Sequence, residues 1–327
     1  MSSVAVKVTL EPLGAVLEVQ AGERILDAAK RLGYECPQSC RNGNCHVCQA
    51  HLIRGEVEQN GQTLAQGQVL TCLAKPIADC TLAWDGVLAP GQLPTRVLSC
   101  QVRECKDLGG DVVGVSLLAP AGKLPRYHAG QYVMLERQEG QQSAFSLASA
   151  PHQGRELELH ILTREASTQS LIAELKRLGV VKVHLPFGEA HVGVLPTTPV
   201  VLMAAGTGMA QMHSVLEHLV AQHNAQPVHL YWGARTAADF YQLKAWSKWQ
   251  ALEQVHLHQV VSDDASWQGR RGFLYEAVLE DFADLSDLTF YVSGSPAMVY
   301  GTLDALVDKG LRPSQMHSDV FAYAPRG

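Results

Sequence analysis

Four cysteines near the N-terminus, Cys40, Cys45, Cys48 and Cys72, follow the spacing Cys-x4-Cys-x2-Cys, with 23 residues between the third and the fourth. Thiolates from one tight loop and one distant strand at this spacing ligate the two irons of a plant-type [2Fe–2S] cluster, so the chemistry they predict is one-electron transfer. A disulfide framework suits small secreted chains; this one has 327 residues and eight cysteines, and no charged-then-apolar leader opens it. Zinc favours paired Cys-x2-Cys knuckles, and only Cys45 and Cys48 form one. Between the ligands, Arg41, Asn42, Gly43 and Asn44 turn the backbone so that N–H groups point at the inorganic sulfides. Cys36, Cys80, Cys100 and Cys105 have no ligand spacing and read as ordinary thiols. His46 is not read as metal-binding.

A second chemical signal is glycine at strand ends. The apolar run 200–205 leads into Gly206, Thr207 and Gly208. Glycines where a buried strand turns into a helix let backbone amides approach an anion, and the helix N-terminus adds partial positive charge. A dinucleotide pyrophosphate suits that place. Ser293 and Gly294 close the run 288–292, and Pro296 then opens another helix. Both turns lie at carboxyl ends of strands, where open α/β sheets bind ligands.

The elements that must position these groups divide the chain in three. Residues 4–10 and 15–19 read as a hairpin, and Ile25, Ala28, Ala29 and Leu32 mark one helical face ending at Gly33. Strands at 50–54, 69–73 and 80–84 complete a β-grasp ferredoxin, residues 1–91. Pro90, Gly91 and Pro94 mark the first boundary, and Pro196 with Pro199 the second. Between them, residues 92–196 carry alternating runs at 96–102, 112–118, 132–136 and 156–162 and a helix at 169–178, an antiparallel barrel. Residues 197–327 alternate apolar strands with helices, a doubly wound parallel sheet. The fold class is therefore multidomain α+β and α/β. An apolar content of 46% supplies buried cores, and no run approaches 18 apolar residues, so no membrane span is expected. A net charge of −6 with scattered Lys and Arg argues against nucleic acid, and reduced cysteines argue for the cytoplasm.

In this order of parts the chain resembles the ferredoxin-reductase-type electron-transfer proteins with an N-terminal ferredoxin domain, the group of the CDP-6-deoxy-3,4-glucoseen, phenol hydroxylase and benzoate dioxygenase reductases. The resemblance covers residues 4–323. It implies that the barrel binds FAD and the last domain NADH, with NADPH as the alternative. Gly130, Gln131 and Tyr132 look like the strand before the flavin ring, and Ser143 to Ser146 align with the Arg-x-Tyr-Ser flavin motif. Ser146 then hydrogen-bonds near flavin N5 and Phe145 packs on the ring. Ser143 replaces the arginine that neutralises the flavin phosphate, a contact worth about 1.5–3 kcal/mol. Ser167 and Ser170 stand in the second phosphate-binding turn, where Arg164 is placed to replace the lost cation. Gly206, Thr207 and Gly208 match the nicotinamide-dinucleotide turn, with Gln211 where proline is usual, and Arg235 reaches cofactor ribose or phosphate. Asp239 follows in a pattern common among NADH users. Ser293 and Gly294 occupy the Cys-Gly site beside the nicotinamide, and Phe321 or Tyr323 covers one flavin face.

NADH gives two electrons as hydride and the cluster accepts one at a time, so a flavin must stand between them. The resemblance implies an oxidoreductase with Ser146 and Ser293 at the reacting atoms. Its partner is a separate electron-acceptor protein, an oxygenase, hydroxylase or dehydratase component. Two other readings stay open at this point: a reductase that releases loosely held reduced flavin, and a redox module without turnover.

Overall fold

Alternation builds the first sheet. Val8 and Leu10 on strand Val6–Glu11 and Leu17 and Val19 on strand Ala15–Val19 are all fully buried, with Val8 opposite Leu17 in the antiparallel register. Each such side chain contributes about 1.5–3 kcal/mol by leaving water. The computed structural model describes residues 5–137 and 140–326, and the chain divides into two units, Met1–Pro94 and Thr95–Gly327. Position 4 of the expected hairpin lies outside the described residues.

In the first unit, five strands lie in the order Ala15–Val19, Val6–Glu11, Cys80–Ala83, Gln49–Arg54, Gly67–Leu70. Val6–Glu11 pairs in parallel with Cys80–Ala83, and the remaining pairs are antiparallel. Helix Ile25–Arg31 packs Ile25, Leu26, Ala28 and Ala29 onto this sheet. This is the β-grasp arrangement. One expected strand is shorter than its apolar run: 69–73 ends at Leu70, because the N–H groups of Leu73 and Ala74 both turn back to the Leu70 carbonyl. Cys72 therefore sits on a turn and not on a strand.

The second unit holds two six-stranded sheets. One is wholly antiparallel, in the order Gln142–Ser146, Tyr132–Glu136, Val180–Phe187, Arg96–Gly109, Val112–Leu118, Glu156–Leu162. A bridge between Leu147 and Leu159 joins its two ends and closes the barrel. Strand Arg96–Gly109 runs seven residues past the expected 96–102, through register shifts against Val112–Leu118. The other sheet is wholly parallel, in the order Arg270–Arg271, Val255–Val261, Val228–Ala234, Val200–Ala205, Thr289–Ser293, Met316–His317. Its central strand Val200–Ala205 is buried along nearly its whole length, as a strand covered by helices on both faces must be. Barrel and parallel sheet are bonded to each other. The Ser214 hydroxyl donates to the Ser149 carbonyl at 2.7 Å, Gln242 N–H donates to the Leu108 carbonyl at 2.8 Å, and Val112 of the barrel belongs to the sheet's core.

Candidate redox centres

Cys40, Cys45 and Cys48 lie in the irregular loop after helix Ile25–Arg31, and Cys72 in the turn after strand Gly67–Leu70. Thr71, fully buried, fastens the two segments: its N–H and hydroxyl both donate to the Cys48 carbonyl, at 3.2 and 2.9 Å. The helix adds a second fastening. Ile25 and Leu26, whose N–H groups have no partner inside the helix, donate to the carbonyls of Ala74 and Thr71, each at 3.0 Å. Gly43 takes φ +88°, a backbone conformation that favours glycine, and a Cβ there would stand 2.7 Å from Leu73 Cδ1, so a larger residue would strain the turn and displace that side chain. Arg41 ties the loop to Asp27 by an ion pair.

Within the loop, the Cys40 and Cys45 N–H groups each donate to the other's Sγ, at 3.4 and 3.3 Å. Backbone donors, that of Asn42 foremost, hold the Cys40 thiol down to about 6, which favours the thiolate that binds metal. Burial and the neighbouring Cys48 thiol push Cys72 up to about 11. Among the described residues no three His, Cys, Asp or Glu side chains converge on a single-ion site. A two-iron cluster asks for two thiolates per iron, and the fold supplies two pairs, Cys40 with Cys45 and Cys48 with Cys72, so the donor set fits the group. Cys36 stands apart, its thiol pushed up to about 11 by burial and its Sγ 4.0 Å from the Tyr34 carbonyl oxygen.

The second centre is a cleft between barrel and parallel sheet. Phe145 and Ser146 end one barrel strand, Ser293 and Gly294 end a sheet strand, and all four line a space of about 460 Å³ with Tyr132 and Tyr323. The same four border an adjoining space of about 560 Å³ that reaches Arg164, Thr168 and Thr207. Arg164 and Thr207 in turn line a third space, about 280 Å³, with Gly206, Arg235 and Phe273. An elongated cofactor pair has a continuous bed there. The glycine turn is built for close approach. A Cβ on Gly208 would stand 2.3 Å from the Ser293 carbonyl oxygen, so the turn lies directly on the strand end that borders the cleft. Behind it, helix Met209–Ala221 presents its N-terminus.

Residues 8–76 match the family described as a 2Fe-2S iron-sulfur cluster binding domain, and residues 202–304 match the oxidoreductase NAD-binding domain. The CDP-6-deoxy-L-threo-D-glycero-4-hexulose-3-dehydrase reductase of Yersinia pestis is 31% identical over 328 residues, which span 97% of this chain and 98% of the relative. The chain belongs to the family of iron–sulfur flavoprotein reductases. Reductase component 2 of terephthalate 1,2-dioxygenase from a Comamonas species is 30% identical over 94% of each chain. The solved structure of the Amycolatopsis cytochrome P450 reductase GcoB superposes with a TM-score of 0.63 at 27% identity, covering 96% of this chain and 98% of its own. The protein is thus an oxidoreductase of the [2Fe–2S], FAD and NADH type.

The reductase departs from the sequence expectation at several positions. Ser167 and Ser170 do not line the cleft; Thr168 does. The helix begins at Ala166 and not at position 169, so its first turn carries Ser167 toward Glu165, 3.4 Å away, while Ser170 accepts from Arg137 at 3.5 Å. Phe321 also lies off the cleft. It packs in the core of the parallel sheet, 5.6 Å from the Tyr300 ring, and Tyr323 is the aromatic residue of the tail that reaches the cavity. Arg164 does border the bed, paired with Asp111 at 2.9 Å and with Asp239. Asp239 in addition accepts from the N–H and hydroxyl of Thr236, at 2.9 and 3.1 Å, so it caps its own turn. Arg235 lines the third space and pairs with Asp263 at 2.8 Å.

Sequence reasoning missed four cleft residues, Thr168, Phe273, Asp319 and His160. Asp319 is the most informative. Its carboxylate accepts from the N–H groups of Glu189 and Ala190, at 2.9 and 3.0 Å, and burial nevertheless raises its pKa. His160 carried no signal of its place, because it follows Glu156 and Glu158 in the polar phase of an alternating strand.

Proposed function

We propose that the protein takes two electrons from NADH and delivers them singly to a separate acceptor protein, the oxygenase, hydroxylase or dehydratase component of a multicomponent system. One observation carries this reading: Phe145 and Ser146 of the barrel and Ser293 and Gly294 of the parallel sheet line one cleft, in a chain whose first unit gathers four cysteines in two pairs. When bound, NADH supplies a hydride, FAD takes up two electrons and returns them one by one, and the [2Fe–2S] cluster carries one.

The chain's own residues divide these roles along segments 1–91, 92–196 and 197–327. Cys40, Cys45, Cys48 and Cys72 would hold the cluster. The Ser146 hydroxyl would donate to the flavin ring, with Phe145 and Tyr323 packed against it and excluding water. Thr168 and Arg164 would meet the flavin phosphates in the absence of an arginine at Ser143. Gly206, Thr207 and Gly208 would offer backbone N–H groups to the NADH pyrophosphate, and Ser293 would orient the nicotinamide. Asp263, which already occupies Arg235, favours NADH over its 2′-phosphorylated form. Among the described residues no helix is long and apolar enough to cross a membrane. We place the protein in the cytoplasm, where thiolate ligands stay reduced.

The test is anaerobic purification followed by gel filtration and NADH titration of the absorption spectrum. Retained flavin and bleaching of both flavin and cluster bands support the reading. Flavin lost on the column, with activity restored by added flavin, would favour a flavin-releasing reductase. Tight cofactors that NADH leaves oxidised would refute both.

A further inference from the structure

Residues 319–326 form a strap wrapped around one side chain. Tyr300, half-buried on helix Pro296–Val307, donates from its hydroxyl to the Ala324 carbonyl at 2.9 Å and accepts there from the Arg326 N–H at 3.1 Å. Phe321 packs 5.6 Å from its ring, and the Arg326 guanidinium carbon lies over that ring, 4.1 Å from the centre. The same guanidinium pairs at 2.7 Å with Asp304, one turn further along the helix. At the other end of the strap the Asp319 carboxylate accepts from the N–H groups of Glu189 and Ala190, and its carbonyl from those of Ala322 and Tyr323, at 3.0 and 3.3 Å.

Between these anchors the short helix Val320–Tyr323 presents Tyr323, whose ring lines the flavin-side space with Phe145, Ser146, Ser293 and Gly294. Tyr323 is 62% exposed, so its own packing does not hold it there; the backbone on either side must. The helix that bears Tyr300 starts at that same space. Ser293 and Gly294 end strand Thr289–Ser293, and the next residue, Ser295, caps the helix by accepting from the Met298 N–H at 3.3 Å. One rigid element therefore carries both a wall of the space and the clasp of its cover. Within the clasp the two partners of the ion pair are 51% and 58% exposed, and pairs so exposed contribute little. The Tyr300 hydroxyl, bonded twice to the backbone of the strap, is the stronger fastening.

We propose that Tyr300 is a positioning residue that fixes Tyr323 as a cover over the flavin-side space and so keeps electrons for the acceptor protein, an inference that rests on the electron route above. Tyr300 lines none of the three spaces of the bed; it acts through the backbone of Ala324 and Arg326. The side reaction it suppresses is the loss of electrons to dissolved dioxygen. In that reaction NADH, O₂ and H⁺ become NAD⁺ and H₂O₂, the hydride pair of electrons passes to dioxygen, and the acceptor receives none. A cover held in place prevents it by closing the site to solvent.

The test compares wild-type holoprotein with Tyr300→Phe, Tyr323→Ala and the double variant. Tyr300→Phe keeps the ring in its packing and removes only the hydroxyl. One readout needs no turnover: exchange of the Ala324 N–H, which bonds to the Val320 carbonyl at 2.9 Å, accelerates about tenfold in Tyr300→Phe, the effect of losing two hydrogen bonds. The other is peroxide formed under air with NADH and no acceptor protein. It rises severalfold in Tyr300→Phe, as it does in Tyr323→Ala, and the double variant is no leakier than Tyr323→Ala alone, because both changes remove the same cover. Arg326→Gln, a second way to loosen the clasp, shifts both readouts in the same direction and by less. Peroxide at the wild-type rate in Tyr300→Phe, unchanged exchange at Ala324, or effects of the two substitutions that multiply would each overturn the assignment. Wild type that NADH cannot reduce would bring down the electron route itself, and the role of Tyr300 with it.

Discussion

Gln211 donates from Nε2 to the carbonyl of Ala190 at 2.9 Å and to the carboxylate of Asp319 at 3.3 Å, joining the last turn of the barrel to the C-terminal tail. The residue is nearly fully buried and stands where the family usually has proline, which has no side-chain donor. In Gln211→Leu the Ala190 carbonyl and the Asp319 carboxylate each lose a partner in a buried site, which costs about 1–3 kcal/mol. The thermal midpoint falls, and hydrogen exchange at Ala322 and Tyr323, whose N–H groups bond back to the Asp319 carbonyl, accelerates. Unchanged exchange there would show that the tail is held by other contacts.

The two cysteine pairs predict a sharp division among single substitutions. Serine at Cys40, Cys45, Cys48 or Cys72 removes a thiolate from a site that needs all four, so the visible absorption of the cluster is lost or greatly weakened. Serine at Cys36 leaves it intact. Iron and sulfide content per chain checks both halves, and loss of iron from Cys36→Ser would put that thiol among the ligands.

Arg235 and Asp263 form an exposed pair beside the third space of the bed. Replacing Asp263 by serine frees the guanidinium for a 2′-phosphate, a charge-assisted contact worth about 1.5–3 kcal/mol when well formed. The ratio of kcat/KM for NADPH to that for NADH then rises about tenfold. An unaltered ratio would remove Arg235 from the ribose site.

His229 lies in a row of imidazoles, 4.4 Å from the His256 ring and 6.0 Å from that of His258. Burial, reinforced by these neighbours, lowers its pKa to about 4. The folded protein therefore resists a protonation that the unfolded chain accepts near pH 6.5, so stability is full above that pH and declines as pH falls from 6.5 towards 4. His229→Gln flattens the decline. Thermal midpoints at pH 7.5 and pH 5 in the two proteins measure it, and equal losses would place the effect elsewhere.

Legibility in the sequence followed how local each feature is. The cluster loop could be read because three of its ligands lie within nine residues and the glycine between them is a backbone requirement. The Gly206 to Gly208 turn could be read because strand, glycines and helix are contiguous. Residues whose place depends on the phase of a helix could not. A start three residues earlier puts Thr168, and not Ser167 or Ser170, on the cleft. The choice between Phe321 and Tyr323 depends on Tyr300, and that of His160 on Tyr241, partners set by tertiary packing that no local pattern encodes.

The most direct test of the electron route is electron paramagnetic resonance of the anaerobic holoprotein frozen after addition of excess NADH. The account predicts the signal of a reduced [2Fe–2S] cluster, integrating to nearly one spin per chain beyond any flavin radical, and its loss in Gly208→Ala, whose added Cβ would collide with the Ser293 carbonyl. A flavin that NADH bleaches while the cluster stays silent would contradict it.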